Sequence, residues 1–501
     1  MAYHYIGGDR DQLFLLPISM RDWLAEGHLA WFIIEVVERI DTSRLHGRHR
    51  NDGVGRPAYD PDMMLALLFY AYATGLRSSR RIEASCRTDA AYRVICGDVV
   101  PDHATIARFL VNHQETIREV FVAVLRLCAQ AGLVSVGTIA IDGTKIGSDA
   151  ALDRNHSGDW IRRRIEAILA EAVETDAEEH VQPGLGDIDQ LPVELATPTG
   201  RLARLEAALA VIEAQDAAAA EQAEQRTARA RAEAAQGRKL PGRKPKDPHA
   251  ALARAEADEA AVRLRTHTAA RQPCTCDRPS SCAAIETNPK VQRAAAATAT
   301  ARLAAKAATP TTRANITDAE SRIMKTATGW VQGYNAQAAV NEHQIIVAAE
   351  VSQDAGDVGL YQPMVTTTRQ MLDAAGIDTE IGIVLGDAGY WSEDNATAHG
   401  PDRLIATTKD WKQRRAAREL GTTTGPPPDN ATPLEAMEHR LRTHQGAAAY
   451  AKRSHTVEPI FAVKANHGYH RFRRRGLQPA RSEWALIATV HNLGKLHRAT
   501  R

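Results

Sequence analysis

Residues Ile381 to Leu385 form a continuous apolar run, the pattern of a strand buried on both faces. Such a strand needs cover above and below, so the chain must hold a sheet with helices packed on it. Other stretches have the period of a strand. Thr138 to Thr144 alternates, with Ile139 and Ile141 on one face and Asp142 on the other. Trp330 to Val340 and Gln344 to Val351 read as a hairpin around Asn341-Glu342-His343, and Leu404 to Thr407 as one more short strand. Asp357 reads as the cap of a helix carrying Leu360, Met364, Val365, Met371 and Leu372, which stops at Gly376. The expected fold class is α/β (α+β), a mixed sheet with helices on its faces.

Ahead of the first strand, residues 10 to 130 read as helical. Trp31 to Ile34 with Val36, Val37 and Ile40 make one apolar face. Asp60 and Pro61 start a second helix as N-cap and first-turn residue, and Pro101 to Thr105 start another. Short helices with Arg77, Arg80, Arg81 and Arg108 suit either a helix-turn-helix-like DNA reader or a plain bundle. The longest apolar run, Met63 to Ala73, is too short to span a bilayer, and the polar start gives no secretory signal. A soluble, cytoplasmic protein with no membrane partner is expected.

Between the first strand and the hairpin the pattern is helical throughout. Ile161, Ile165, Ile168 and Leu169 form a stripe, and Leu202, Leu205, Leu209 and Ile212 a short coiled-coil-like seam. A basic stretch at 237–246 breaks an Ala-rich helix and reads as the tip of a helical hairpin, either a minor-groove contact or a solvated turn. Cys274, Cys276 and Cys282, with His267, could hold zinc, although the spacing matches no common module. Cys86, Cys96 and Cys128 read as small core residues. The net charge is +1, but Tyr450 to Arg501 has eleven Lys and Arg against two Glu, a local +9. That tail suits a surface facing phosphates, or simply a solvated basic helix.

Two of the predicted strands lead to an aspartate, Asp142 and Asp387. Carboxylates converging from rigid elements suit hard divalent cations. Two Mg²⁺ ions about 3.5–4 Å apart can activate water, stabilise a leaving oxygen and offset charge in phosphodiester cleavage. A third acid, Glu458, lies in a segment where Tyr450, Arg453, Glu458 and Lys464 share an arc of about 140° on a regular helix. Pro459 should disturb that helix. From the residues alone, Asp142 before Gly143 also reads as a turn aspartate, and Glu458 as half of an ordinary Glu–Arg pair.

Taken together, GRPAYDPDMMLALLFYAYATG, PDHATIARF, IDGTKI, SRIMKTATGWVQGYNAQAAVNEHQIIVAAEVSQDAGDVG, LGDAGYWSED, YAKRSHTVEPIFAVK and EWALIATVHNLGKL resemble the DDE transposases of bacterial insertion sequences, in the branch with an InsH-like N-terminal domain. The resemblance covers most of the chain outside 155–310. It implies a ribonuclease H-like core, Mg²⁺ as cofactor with Mn²⁺ able to substitute, and double-stranded DNA as partner, both terminal inverted repeats and target. It carries the three catalytic, metal-binding acids onto Asp142, Asp387 and Glu458. Tyr450, Arg453 and Lys464 match the family's DNA-binding Tyr-Arg-Glu-Lys signature. The usual signature has three residues between Arg and Glu and six between Glu and Lys; here they are four and five.

The expected organisation is a helical DNA-binding domain at 1–132, a catalytic domain at 133–154 and 311–501, and a helical insert at 155–310. The expected function is metal-dependent cleavage and joining of DNA at the ends of a mobile element, with a homodimer on DNA. A nuclease that never joins strands and a DNA-binding regulator without catalysis are the rival readings.

Overall fold

A computed structural model describes residues 19–47, 58–178, 197–235, 248–269, 282–307, 312–408, 410, 421–462 and 466–501. The chain forms two compact units, Met1–Leu152 with Glu320–Arg501, and Asp153–Ala319.

The first unit begins with α1 (Leu29–Arg39), α2 (Ser43–His46), α3 (Pro61–Ala73), α4 (Ser79–Thr88), α5 (Ala90–Ile95), α6 (His103–Asn112) and α7 (Gln114–Gln130). Two of these start as the sequence predicts. Asp60 accepts from the Asp62 N–H with Pro61 in the first turn, and Asp102 accepts from Thr105 N–H. Met64 to Tyr72 are buried without a break, so α3 is an all-round core helix. No described helix is long and apolar enough to cross a membrane.

The second unit follows β1 (Thr138–Gly147). It comprises β2 (Asn155–Ser157), α8 (Gly158–Glu178), α9 (Pro198–Ala235), α10 (Pro248–Thr268), α11 (Pro289–Ala307) and β3 (Arg313–Asn315). β2 and β3 pair antiparallel. The predicted seam buries Ile161 and Ile168 against Leu205 and Ile212. The basic stretch 237–246 lies outside the described residues, as do Cys274 and Cys276. Cys282 packs with Ile285 and Val291.

The sheet of the first unit is completed by β4 (Arg322–Thr326), β5 (Gly329–Asn341), β6 (Ile346–Ser352), α12 (Tyr361–Ala374), β7 (Ile383–Gly386), α13 (Glu393–Thr397) and β8 (Asp402–Ile405). The helices α14 (Pro433–Arg442), α15 (His444–Phe461) and α16 (Leu477–Ala499) follow. β5 runs antiparallel to β1 and β6 antiparallel to β5, while β7 is parallel to β1 and β8 parallel to β7. The strand order is therefore β6-β5-β1-β7-β8, with β4 on the first residues of β5. Val384 and Leu385 are buried, as the apolar run predicts. β4 has no counterpart in the sequence reading, because its five residues mix Ile323 and Met324 with Arg322 and Lys325.

Two expectations about basic residues need correcting. The tail is not one outward basic face. α16 is a core helix in which Trp484, Leu486, Ala488, Thr489, Asn492 and Leu493 are fully buried, and Asn492 exchanges two hydrogen bonds with the Ile346 backbone of β6. Near it, Arg474 donates to Leu110 O, Arg475 to Asp149 O, and Arg481 pairs with Glu350. Arg77 is likewise no free phosphate contact. Its side chain is 5% exposed and pairs at 3.1 Å with Glu483, which is 1% exposed. It also donates to Arg471 O and Gly468 O, and stacks over Tyr469. Burial pushes the Glu483 carboxyl up, against the pull of Arg77 and the Arg473 N–H.

This pair joins the N-terminal helices to the C-terminal segment. Glu483→Gln keeps the volume but leaves Arg77 buried opposite a neutral amide. The expected cost is about 3–5 kcal/mol, read as a fall in the urea unfolding midpoint; an unchanged midpoint would show that the pair does not hold these segments together.

Candidate functional site

The site is built on the parallel pairing of β1 with β7, in which Ile141 lies beside Gly386. The next residues along are Asp142 and Asp387, so the two acids emerge side by side. Asp142 is not at a strand end as expected. β1 continues to Gly147, and Asp142 pairs opposite Ala338 of β5; it is β7 that stops there. The glycine after Asp142 does not mark a turn either. A Cβ on Gly143 would lie 2.0 Å from Gln337 Nε2, so a larger residue there would have to displace that amide. Asp387 opens a tight turn, with Gly389 N–H donating to Asp387 Oδ1 at 2.7 Å and Tyr390 N–H to Asp387 O at 3.1 Å.

α15 brings the remaining residues. Tyr450 donates through its hydroxyl to Gly386 O at 3.3 Å, fixing the helix beside the turn. One turn further, Arg453 Nη2 meets Asp142 Oδ2 at 2.5 Å, and Arg453 Nη1 lies 3.8 Å from Glu458 Oε1. One guanidinium thus stands between two of the predicted acids. Arg453 is mostly buried, whereas the Glu458 side chain is 61% exposed. Pro459 does not end the helix, which runs on to Phe461. A proline at this position leaves the carbonyl four residues back without its donor, and Gln344 Nε2 supplies one to His455 O at 2.8 Å. Lys464 lies outside the described residues.

Burial raises the Asp142 carboxyl from 3.8 to about 6; Arg453 and the Gly143 N–H pull it down, while Asp387 and Asp357 push it up. The repulsion from Asp357 identifies a residue that the sequence reading assigned wrongly. Asp357 makes no side-chain cap. Its Oδ1 accepts instead from Lys145 Nζ (3.0 Å), Asn335 Nδ2 (2.8 Å) and Gln337 Nε2 (3.2 Å). Gln337 in turn accepts from the buried Tyr390 hydroxyl. Asn335 and Gln337 are legible in the sequence as two amides at period two, on one face of β5.

The donor set is all oxygen, as Mg²⁺ or Mn²⁺ requires, and Asp142, Asp387 and Glu458 are the residues that could hold such ions. Excess carboxylate around a buried, raised Asp142 fits a cation. Among the described residues, the acids and histidines whose ligand atoms cluster within 4.8 Å are His46, Asp60 and Asp62, in the N-terminal helices. That trio has other work: Asp60 caps α3, and His46 bonds Asp62.

Comparison with known families gives two matches. Residues 18–112 match a transposase domain of the DUF772 family, and residues 406–497 match a transposase DDE domain. No curated protein and no solved structure matches the chain. A transposase-domain match near each end of the chain supports an insertion-sequence DDE transposase. The second segment contains Tyr450, Arg453 and Glu458; Asp142 and Asp387 lie outside both.

The raised carboxyl gives a titration test. A folded-state value above the ordinary one means that the neutral acid's contribution to stability is complete below 3.8 and is lost as pH rises through about 6. In the metal-free protein, the ¹³C carboxyl resonance of Asp142 should titrate near 6, and Arg453→Ala should move that midpoint upward. A midpoint that drops in the variant contradicts the contact.

Proposed function

We propose that this transposase binds the terminal inverted repeats of its element and catalyses metal-dependent strand cleavage and strand transfer. The catalytic core is read as ribonuclease H-like, spanning 133–154 and 311–501. Its support is the order β6-β5-β1-β7-β8, three antiparallel strands followed by two parallel to β1. Residues 1–132 serve as the DNA-binding domain and 155–310 as a helical insert.

Asp142, Asp387 and Glu458 hold Mg²⁺, or Mn²⁺ in its place. When bound, the ions supply Lewis acidity and offset the charge of the reacting phosphate. The protein's own groups do the rest. β1 and β7 fix two acids on a rigid frame, α15 carries the third, and Tyr450, Arg453 and Lys464 are assigned to DNA binding. Water attacks a phosphodiester at the element boundary and releases a 3′-hydroxyl. That hydroxyl attacks a target phosphodiester and displaces a second 3′ oxygen, with no covalent protein–DNA link. Bringing two ends together calls for a homodimer on DNA, acting in the cytoplasm at the nucleoid.

The observation that carries this reading is the Arg453 guanidinium, which contacts Asp142 and approaches Glu458 from a helix tied beside Asp387. It stands between Asp142 and Glu458, on a helix whose Tyr450 is bonded next to Asp387.

The test is cleavage and strand transfer in vitro on DNA carrying the element's ends. Asp142→Asn, Asp387→Asn and Glu458→Gln should each lower cleavage by a factor on the order of 10³ or more, as removal of a member of a catalytic set does. End binding should persist and weaken steeply with salt. Variants that cut like wild type would remove the three acids from catalysis; cleavage without joining would point to a nuclease.

A further inference from the structure

We propose that Tyr390 is a positioning residue for Asp387, with its hydroxyl set by a polar chain that starts at Asp357; this rests on reading Asp387 as a catalytic acid. The argument follows from which groups can donate. A carboxylate only accepts, so Asp357 Oδ1 dictates how its neighbours turn. Asn335 directs its NH₂ to Asp357 Oδ1 and to Asp354 O. Gln337 directs its NH₂ to Asp357 Oδ1 and Asn335 Oδ1. Both amides are thereby fixed in one orientation. Gln337 Oε1 is left as an acceptor, and the Tyr390 hydroxyl donates to it. Lys145 Nζ, at 3.0 Å, offsets the charge of Asp357.

The chain has little freedom to shift. Trp484 Nε1 holds the Gln337 carbonyl at 2.8 Å, the Tyr390 ring is fully buried, and the Gln337 amide lies against Gly143, where a Cβ would displace it. Tyr390 also closes the turn whose first residue is Asp387, through its own N–H. Its ring is therefore fixed at both ends, by the Asp387 turn and by an acceptor on β5. The chain sets where the second acid stands relative to Asp142 on β1.

Tyr390→Phe retains the ring and removes the hydroxyl. Asp357→Asn replaces a pure acceptor with a group that also donates, which frees the Gln337 amide to turn. Each variant should lower end cleavage, and Mn²⁺ affinity measured by electron paramagnetic resonance, by about 10- to 100-fold, with Tyr390→Phe still folded at the assay temperature and its melting temperature lowered by only a few degrees. The double variant should be no worse than the weaker single one, because both act through Gln337. Wild-type Mn²⁺ affinity in Tyr390→Phe, a loss explained by unfolding at the assay temperature, or effects that multiply in the double variant would each overturn the chain. Asp387→Asn is measured alongside. If it too binds Mn²⁺ and cuts normally, the reading of the acids fails; if it is inactive while Tyr390→Phe is normal, only the positioning role fails.

Discussion

The register between β1 and β7 is the constraint on which the rest of the molecule depends. Four parallel pairs, from Thr138 with Ile383 to Ile141 with Gly386, bring Asp142 and Asp387 together although most of the insert and the hairpin separate them in sequence. A slip of one residue would turn every side chain of β7 to the opposite face. It would make Val384 and Leu385 exchange faces within a packed core and move Asp387 away from its neighbour. The pairing is secured by apolar burial rather than by the acids, since two carboxylates side by side repel. The core therefore imposes a cost on the site, and the raised Asp142 carboxyl is where that cost appears.

What could be read in the sequence was local. The hairpin around Asn341 to His343 and the Asp60-Pro61 helix start are short-range patterns that appear as read, and the Ile381 to Leu385 run gives a strand that begins at Ile383. The failures were cases where a local signal competed with distant packing. Asp357 stands before a helix and looks like a cap, but three donors from β1 and β5 claim its carboxylate. Arg77 looks like a surface cation until Glu483, 406 residues away, is brought to it. The basic count of the tail hid the fact that α16 is apolar through its middle. For the site, each acid could be nominated from local cues and the family resemblance. The contact that links two of them could not, because Arg453 and Asp142 are 311 residues apart.

Two guanidiniums of the first unit, Arg77 and Arg453, contrast usefully. Arg77 donates from both terminal nitrogens to two carbonyls and a carboxylate and lies over a tyrosine ring. All three of these bonds tie it to the protein, as in a structural staple. Arg453 binds Asp142 strongly and Glu458 at the limit of an ion pair, and its Nε has no hydrogen-bond partner among the described residues. A guanidinium with a buried, unbonded Nε beside two carboxylates is poorly settled as pure structure. It suits a place where further charged groups arrive.

The pairing of β2 with β3 has a consequence for how such a chain can change over evolutionary time. Asn155 lies opposite Asn315 and Ser157 opposite Arg313, so the two ends of the helical unit are clasped where the chain leaves the sheet and returns to it. A segment entered and left through one gate can lengthen, shorten or be exchanged while the strands outside keep their spacing. The clasp makes the helices a replaceable cartridge, and the sheet need not register what is loaded there.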